Sequence, residues 1–190
     1  MRKTTILNEN DKRCIKTREA TERSLFYFYT EHQLFERLPI VTLCQTARIS
    51  TPTFYRHYGN LLDVVESRHQ KINAELSDIF AKNVMLIIVL VRTFQFINKH
   101  RLYYKAAIKQ RNYWPFEEIL VMLVPFISDY VRKKYGNTAK WLDEKFYYDI
   151  ENYIVAEIKW WGQADNFDES KIEERIGSIL SYIKYRFRVH

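Results

Sequence analysis

Leu43-Cys44-Gln45-Thr46-Ala47-Arg48-Ile49-Ser50-Thr51-Pro52-Thr53-Phe54-Tyr55-Arg56-His57-Tyr58 is the stretch that decides the fold. Ser50 is a good helix N-cap, because its hydroxyl accepts from a backbone N–H two or three residues on. Pro52 falls in the first turn that follows, where its missing N–H costs nothing. Upstream, residues 38–47 read as another short helix with Pro39 near its start. Arg48-Ile49 is left as a tight turn between the two. Downstream, Gly59-Asn60 closes the second helix and caps a longer one over 61–82. Leu62, Val65, His69, Ile72 and Leu76 share one face of it. Two short helices of about nine and eight residues, a tight turn and a longer third helix make a helix-turn-helix, whose second helix enters a major groove.

The pattern extends in both directions. Ala20, Ser24, Leu25 and Phe28 lie on one face of a helix expected over 17–33. Residues 1–16 show no clean period and read as a flexible basic arm carrying Arg2, Lys3, Lys12, Arg13 and Lys16. Toward the C-terminus, helices are expected over 84–99, 101–109, 115–135 (with Pro125 inside) and 140–161, the last closed by Gly162. Asp168 caps a final helix over 169–188, striped by Ile172, Ile176, Ile179, Leu180, Ile183 and Phe187. The fold class is all-α.

Composition agrees with that reading. The 190 residues hold only 4 Gly and 4 Pro, too few for the turns of an all-β fold, and the glycines are too scattered for phosphate-cradling loops. Two cysteines, Cys14 and Cys44, cannot build a disulfide framework or a zinc box. The start of the chain lacks the apolar segment of a signal peptide. The most apolar run, 84–91, is far below the roughly 20 residues a membrane helix needs. A cytoplasmic protein without a membrane partner is expected. The histidines, His32, His57, His69, His100 and His190, show no metal-ligand spacing, and no nucleotide loop, nucleophile elbow or zinc-protease motif is present. No metal, no cofactor and no enzymatic activity are expected. The net charge of +7 favours anionic partners. It is spread evenly: residues 1–70 carry 11 Lys and Arg against 8 Asp and Glu, and residues 71–190 carry 19 against 15.

The run 43–58 resembles the TetR family of bacterial transcription regulators, whose pattern there is roughly I-A-x-x-A-G-V-S-x-x-T-hydrophobic-Y-x-H-F. The similarity in motif covers about residues 17–65. It implies an N-terminal three-helix DNA-binding bundle over 17–62 and a C-terminal helical domain over 63–190 for effector binding and dimerisation. It implies DNA contacts from Arg48, Ser50, Thr51, Pro52, Thr53, Tyr55 and His57. Threonine hydroxyls can bond base edges, and Thr or Pro carbons can touch a thymine methyl. Ala47, Ile49, Phe54 and Tyr58 fall where the family packs its core.

Three departures from the pattern stand out. The family's turn glycine is Arg48, its phosphate-binding lysine at the start of the next helix is Leu61, and Pro39-Ile40-Val41 replaces polar contacts. The resemblance further implies a homodimer on a palindromic double-stranded operator, with Ile150, Ile154, Trp161, Ile172, Ile176, Ile179 and Ile183 at its interface. The same stripes would equally suit packing within one chain. A small lipophilic or aromatic effector is expected among Arg92, Tyr103, Tyr104, Arg111, Tyr113, Trp114, Tyr148 and Trp160, where aromatic walls carry a few polar groups. The implied function is a repressor released by that effector. The alternative is a TetR-like interaction module that regulates through a protein partner without binding an operator.

Overall fold

In the computed structural model the described residues are 11–32, 37–136, 144–163 and 168–188. They form α1 (Lys12–Glu31), α2 (Ile40–Ala47), α3 (Thr51–His57), α4 (Leu61–Lys82), α5 (Leu86–Lys99), α6 (Arg101–Lys109), α7 (Trp114–Tyr135), α8 (Glu144–Gln163) and α9 (Ile172–Arg188). A single 3-10 turn (Glu169–Lys171) precedes α9, and no strand occurs among the described residues. The chain divides into two compact units, Met1–Lys71 and Ile72–His190, with the boundary inside α4.

The first unit starts differently from the expectation of a flexible arm over 1–16. Asp11 caps α1 by accepting the N–H of Arg13 at 2.8 Å. That carboxylate satisfies an orphan donor, so Lys12, Arg13 and Lys16 are helical and exposed. Residues 1–10 of the expected arm lie outside the described residues. The core of this unit is Leu25, Leu38, Leu43, Cys44, Phe54, Tyr58 and Val64. Ile40, Ile49 and Leu61 pack against it from the edge.

In the second unit the apolar stripes of α5 to α9 converge on one core. Val89, Phe94, Ile97, Tyr104, Phe116, Ile119, Ile127 and Ile150 are all fully buried. Trp161 fills its centre, donating its indole N–H to the Phe94 carbonyl at 3.2 Å. Gly162 does not end α8 as expected. It lies inside the helix and is buried, and a Cβ there would sit 3.3 Å from Ile108 Cδ1 and 3.8 Å from Tyr104 Cβ. The glycine lets α6 and α8 approach closely, which is a packing role rather than a capping one. Gly136 does end α7, with φ 82° and its N–H on the Arg132 carbonyl.

Candidate nucleic-acid interface

The turn between α2 and α3 is built without glycine. Arg48 adopts φ 55° and ψ 43°, the left-handed region, and its N–H reaches the Gln45 carbonyl at 3.1 Å. Ile49 N–H then bonds the Cys44 carbonyl at 3.0 Å. These two bonds satisfy two of the last four carbonyls of α2 and end the helix. The left-handed backbone costs a side-chain-bearing residue roughly 1 kcal/mol. Its guanidinium is exposed beside α3.

Ser50 caps α3 as its position implies: its Oγ accepts the N–H of Thr53 at 3.2 Å. It also shares a hydrogen bond with Thr53 Oγ1 at 2.8 Å, and Arg56 Nη2 donates to the same Thr53 oxygen at 3.3 Å. Phe54 is fully buried and Tyr58 nearly so, which anchors the helix from below. The opposite side presents Pro52, Tyr55 and Arg56 to solvent, with Thr51, Thr53 and His57 half-buried. All the residues assigned to DNA contact therefore lie on or beside one short helix. His57 is held below the usual histidine range, first by burial and then by the charges of Arg18 and Arg56. Its Nδ1 is buried with no hydrogen-bond partner.

Asn60 caps α4, accepting the N–H groups of Leu62 at 2.7 Å and Asp63 at 3.1 Å. Asp63 reaches back to the Gly59 N–H at 2.6 Å, and a Cβ at Gly59 would come within 3.0 Å of that carboxylate. This reciprocal cap fixes how α4 leaves α3.

One organising residue escaped the sequence reading. Glu22 of α1 is only 3% exposed. It bonds Lys71 Nζ at 2.6 Å and lies 3.5 Å from Arg68 Nη1, both on α4. The Tyr58 hydroxyl also donates to it at 3.5 Å. Burial and the Glu22 charge hold the Tyr58 phenol far above its ordinary range. The available signal was position: Glu22 stands three residues before Leu25 and four before Phe26, on the buried stripe of α1.

Ile150, Ile154, Trp161, Ile172, Ile176, Ile179 and Ile183, the residues expected at a dimer interface, are all at most 5% exposed within a single chain. Their apolar side chains pack in the core of the second unit. The opposite faces of α8 and α9 are the open ones. Tyr148, Trp160 and Tyr185 are 65%, 48% and 59% exposed, with Ala156, Gly177 and Ser181 also at the surface. Tyr153 and Tyr182 stack at 4.2 Å between the two helices, and Arg175 lies 3.8 Å over the Trp160 ring.

The residues expected at an effector site are divided between the core and the surface. Tyr103 and Tyr104 are core residues, with Tyr104 packed at 5.3 Å against Phe116. Arg111 sits in a left-handed turn with φ 52° and is exposed, as are Arg92, Trp114 and Tyr148. Tyr113 is exposed too, with Lys159 3.8 Å over its ring. Trp160 points out with the α8 surface. Two open grooves occur elsewhere in this unit. One of about 530 Å³ is charged and includes Arg92, Glu75, Asp78 and Lys99. The other, of about 480 Å³, is floored by Val84, Met85, Ile87 and Phe126 and rimmed by Lys133 and Lys134.

No group of three or more His, Cys, Asp or Glu among the described residues could hold a metal ion. No helix among them is long and apolar enough to cross a membrane.

No protein-family model matches the chain, and no curated protein matches its sequence. Solved structures do resemble it. The dihydroxyacetone kinase operon activator DhaS superposes with a TM-score of 0.58 at 14% identity, over 90% of this chain and 98% of that one. Lin0861 from Listeria innocua gives a TM-score of 0.52 at 21% identity, over 94% of this chain and 96% of that one. At such identities the likeness speaks for the fold alone, and the fold of this chain is all-helical among its described residues.

Proposed function

We propose that this chain is a homodimeric, sequence-specific DNA-binding transcriptional regulator, a repressor released by a small-molecule effector. The observation that carries the reading is the α2–α3 pair. Arg48 ends α2 in a left-handed turn, Ser50 caps α3, and α3 offers one exposed face above a buried Phe54. That is the geometry by which a helix-turn-helix enters a major groove. The structural similarity to DhaS, an operon activator, supports a regulatory role.

Two-fold operators call for two-fold proteins. The aromatic outer face of α8 and α9 is the surface proposed for dimerisation, in place of the buried isoleucines. For a lipophilic effector, the apolar groove at Val84, Met85, Ile87 and Phe126 is the proposed site. The effector must favour one spacing of the two reading helices over another to release DNA.

Selection of duplexes from a random pool tests the reading. The expected result is an enriched palindrome whose half-site centres lie about 34–36 Å apart. Failure to enrich any sequence sinks it. The alternative, a module acting through a protein partner, draws on Val41 and Leu62, exposed at 56% and 61% where a phosphate-binding surface would be polar. Thr53→Ala with Tyr55→Ala separates the two readings: regulation survives the pair only if a protein partner carries it.

A further inference from the structure

We infer that the effector is a lipophilic anion, its acidic head seated by Lys134 and Tyr130 and its tail laid on Val84, Met85 and Ile87. The inference rests on the effector reading above and names what that groove takes. The apolar floor alone would accept any lipophile, and the rim decides the charge of the head.

The groove lies wholly within the second unit, between residues 83–85, the first turn of α5 and the later turns of α7. Its volume of about 480 Å³ falls in the range of small-molecule sites. Val84, Met85, Ile87 and Ile88 are all exposed, four apolar side chains within five residues. Apolar surface gathered in this way marks a place that meets something other than water. Met85 is unbranched and can mould itself to a tail.

The two rim lysines differ in what already answers them. Lys133 Nζ pairs with Asp129 Oδ2 at 2.8 Å. Lys134 Nζ instead donates to the Tyr130 hydroxyl, a neutral acceptor, at 2.7 Å. Among the described residues no carboxylate pairs with Lys134, so its charge stands uncompensated at the edge of the groove. Tyr130 accepts that bond and keeps its own O–H to donate. An ammonium and a phenol side by side thus offer two donors to one anion, the charge-assisted arrangement that a carboxylate takes up. A tail that covers the floor also takes water from Lys134. A neutral head leaves that ammonium poorly solvated, and a cationic head repels it. The other groove of this unit differs on both counts. Its Lys82 and Lys99 are paired with Asp78 and Glu75, and its Phe96 is buried, so a tail finds little to cover there.

Calorimetric titration of the full-length protein tests this, with decanoate, decanamide and decyltrimethylammonium as probes that share a tail and differ in the head. Decanoate should bind about ten-fold more tightly than decanamide, and the ammonium should not bind. Lys134→Met keeps an apolar stem and removes the charge. It should weaken decanoate about ten-fold and affect decanamide far less. Val84→Asn alters an exposed side chain and should weaken both by about four-fold. Equal affinity for decanoate and decanamide overturns the inference and leaves a lipophilic effector standing. A preference for decanoate that survives Lys134→Met puts the head elsewhere and overturns it too. If no probe binds, the groove is not the effector site, and the reading on which the inference rests fails with it. Recruitment to phosphatidylglycerol vesicles without binding of dissolved decanoate overturns the inference in favour of a bilayer surface. None of these titrations involves DNA, so each outcome holds whatever the operator selection shows.

Discussion

Arg48 sets two requirements against each other at one residue. Its left-handed backbone favours glycine, while its side chain adds a positive charge beside α3. Arg48→Gly should therefore relieve strain and stabilise the first unit by up to about 1 kcal/mol, less the entropy a glycine loses on folding. The same change should weaken DNA binding. Thermal unfolding and a binding titration of one variant would show the two effects with opposite signs. A loss of stability would refute the strain argument.

His57 gives a second prediction at this scale. Its folded pKa lies below 6.5, because burial and then Arg18 and Arg56 disfavour the charged ring. The unfolded chain therefore binds the proton more readily, and stability falls as pH drops below about 6.5, levelling off under the folded pKa. A phosphate near the ring would favour the charged form instead. Binding should then take up a proton and tighten between pH 7.5 and 6. His57→Gln should flatten that dependence, and a wild-type affinity flat across this range would exclude His57 from the phosphate contact.

Glu22 shows what an element-level tie contributes. One buried carboxylate holds α1 to α4 and meets Tyr58 at the end of α3. Glu22→Gln removes the carboxylate that Lys71 and Arg68 share. Buried pairs cost about 3–5 kcal/mol when broken, but Arg68 and Lys71 are partly solvated, so about 2 kcal/mol is expected in urea unfolding. At α8, Gly162→Leu should cost a similar amount, about 2 kcal/mol, by forcing α6 away.

These elements also mark how far the sequence could be read. The helices were legible because their apolar residues recur at the helical period, and Ser50, Asn60 and Asp168 signalled caps that the structure contains. The α1 start was misplaced because Asp11 caps a first turn that has no apolar stripe of its own. Gly162 was misread because a glycine needed for close packing looks like a terminator in one dimension. The cap and the buried Phe54 of α3 were legible because their residue types and spacing are local. The burial of the α8 and α9 stripes was not, because whether a stripe faces its own core depends on all the helices packed around it.

For the molecule as a whole, the open face of α8 and α9 is the test of assembly. Trp160→Glu with Tyr185→Glu alters exposed residues only. Sedimentation should show a folded monomer. Ile183→Glu instead buries a charge in the core and should unfold the second unit. A double variant that remains dimeric would place the interface elsewhere.

The buried Glu22 has one further consequence, for ion release. A protein sheds about 0.9 counterion equivalents per phosphate it neutralises, and this sets the slope of affinity against salt. Counting the cations of the first unit overstates that slope, because Arg68 and Lys71 already answer to a carboxylate inside the protein. Arg68→Ala should leave the salt slope unchanged. Under the proposed DNA-binding function, the ionic strength at which the complex dissociates is then set by the remaining cations, whatever the total charge of the chain.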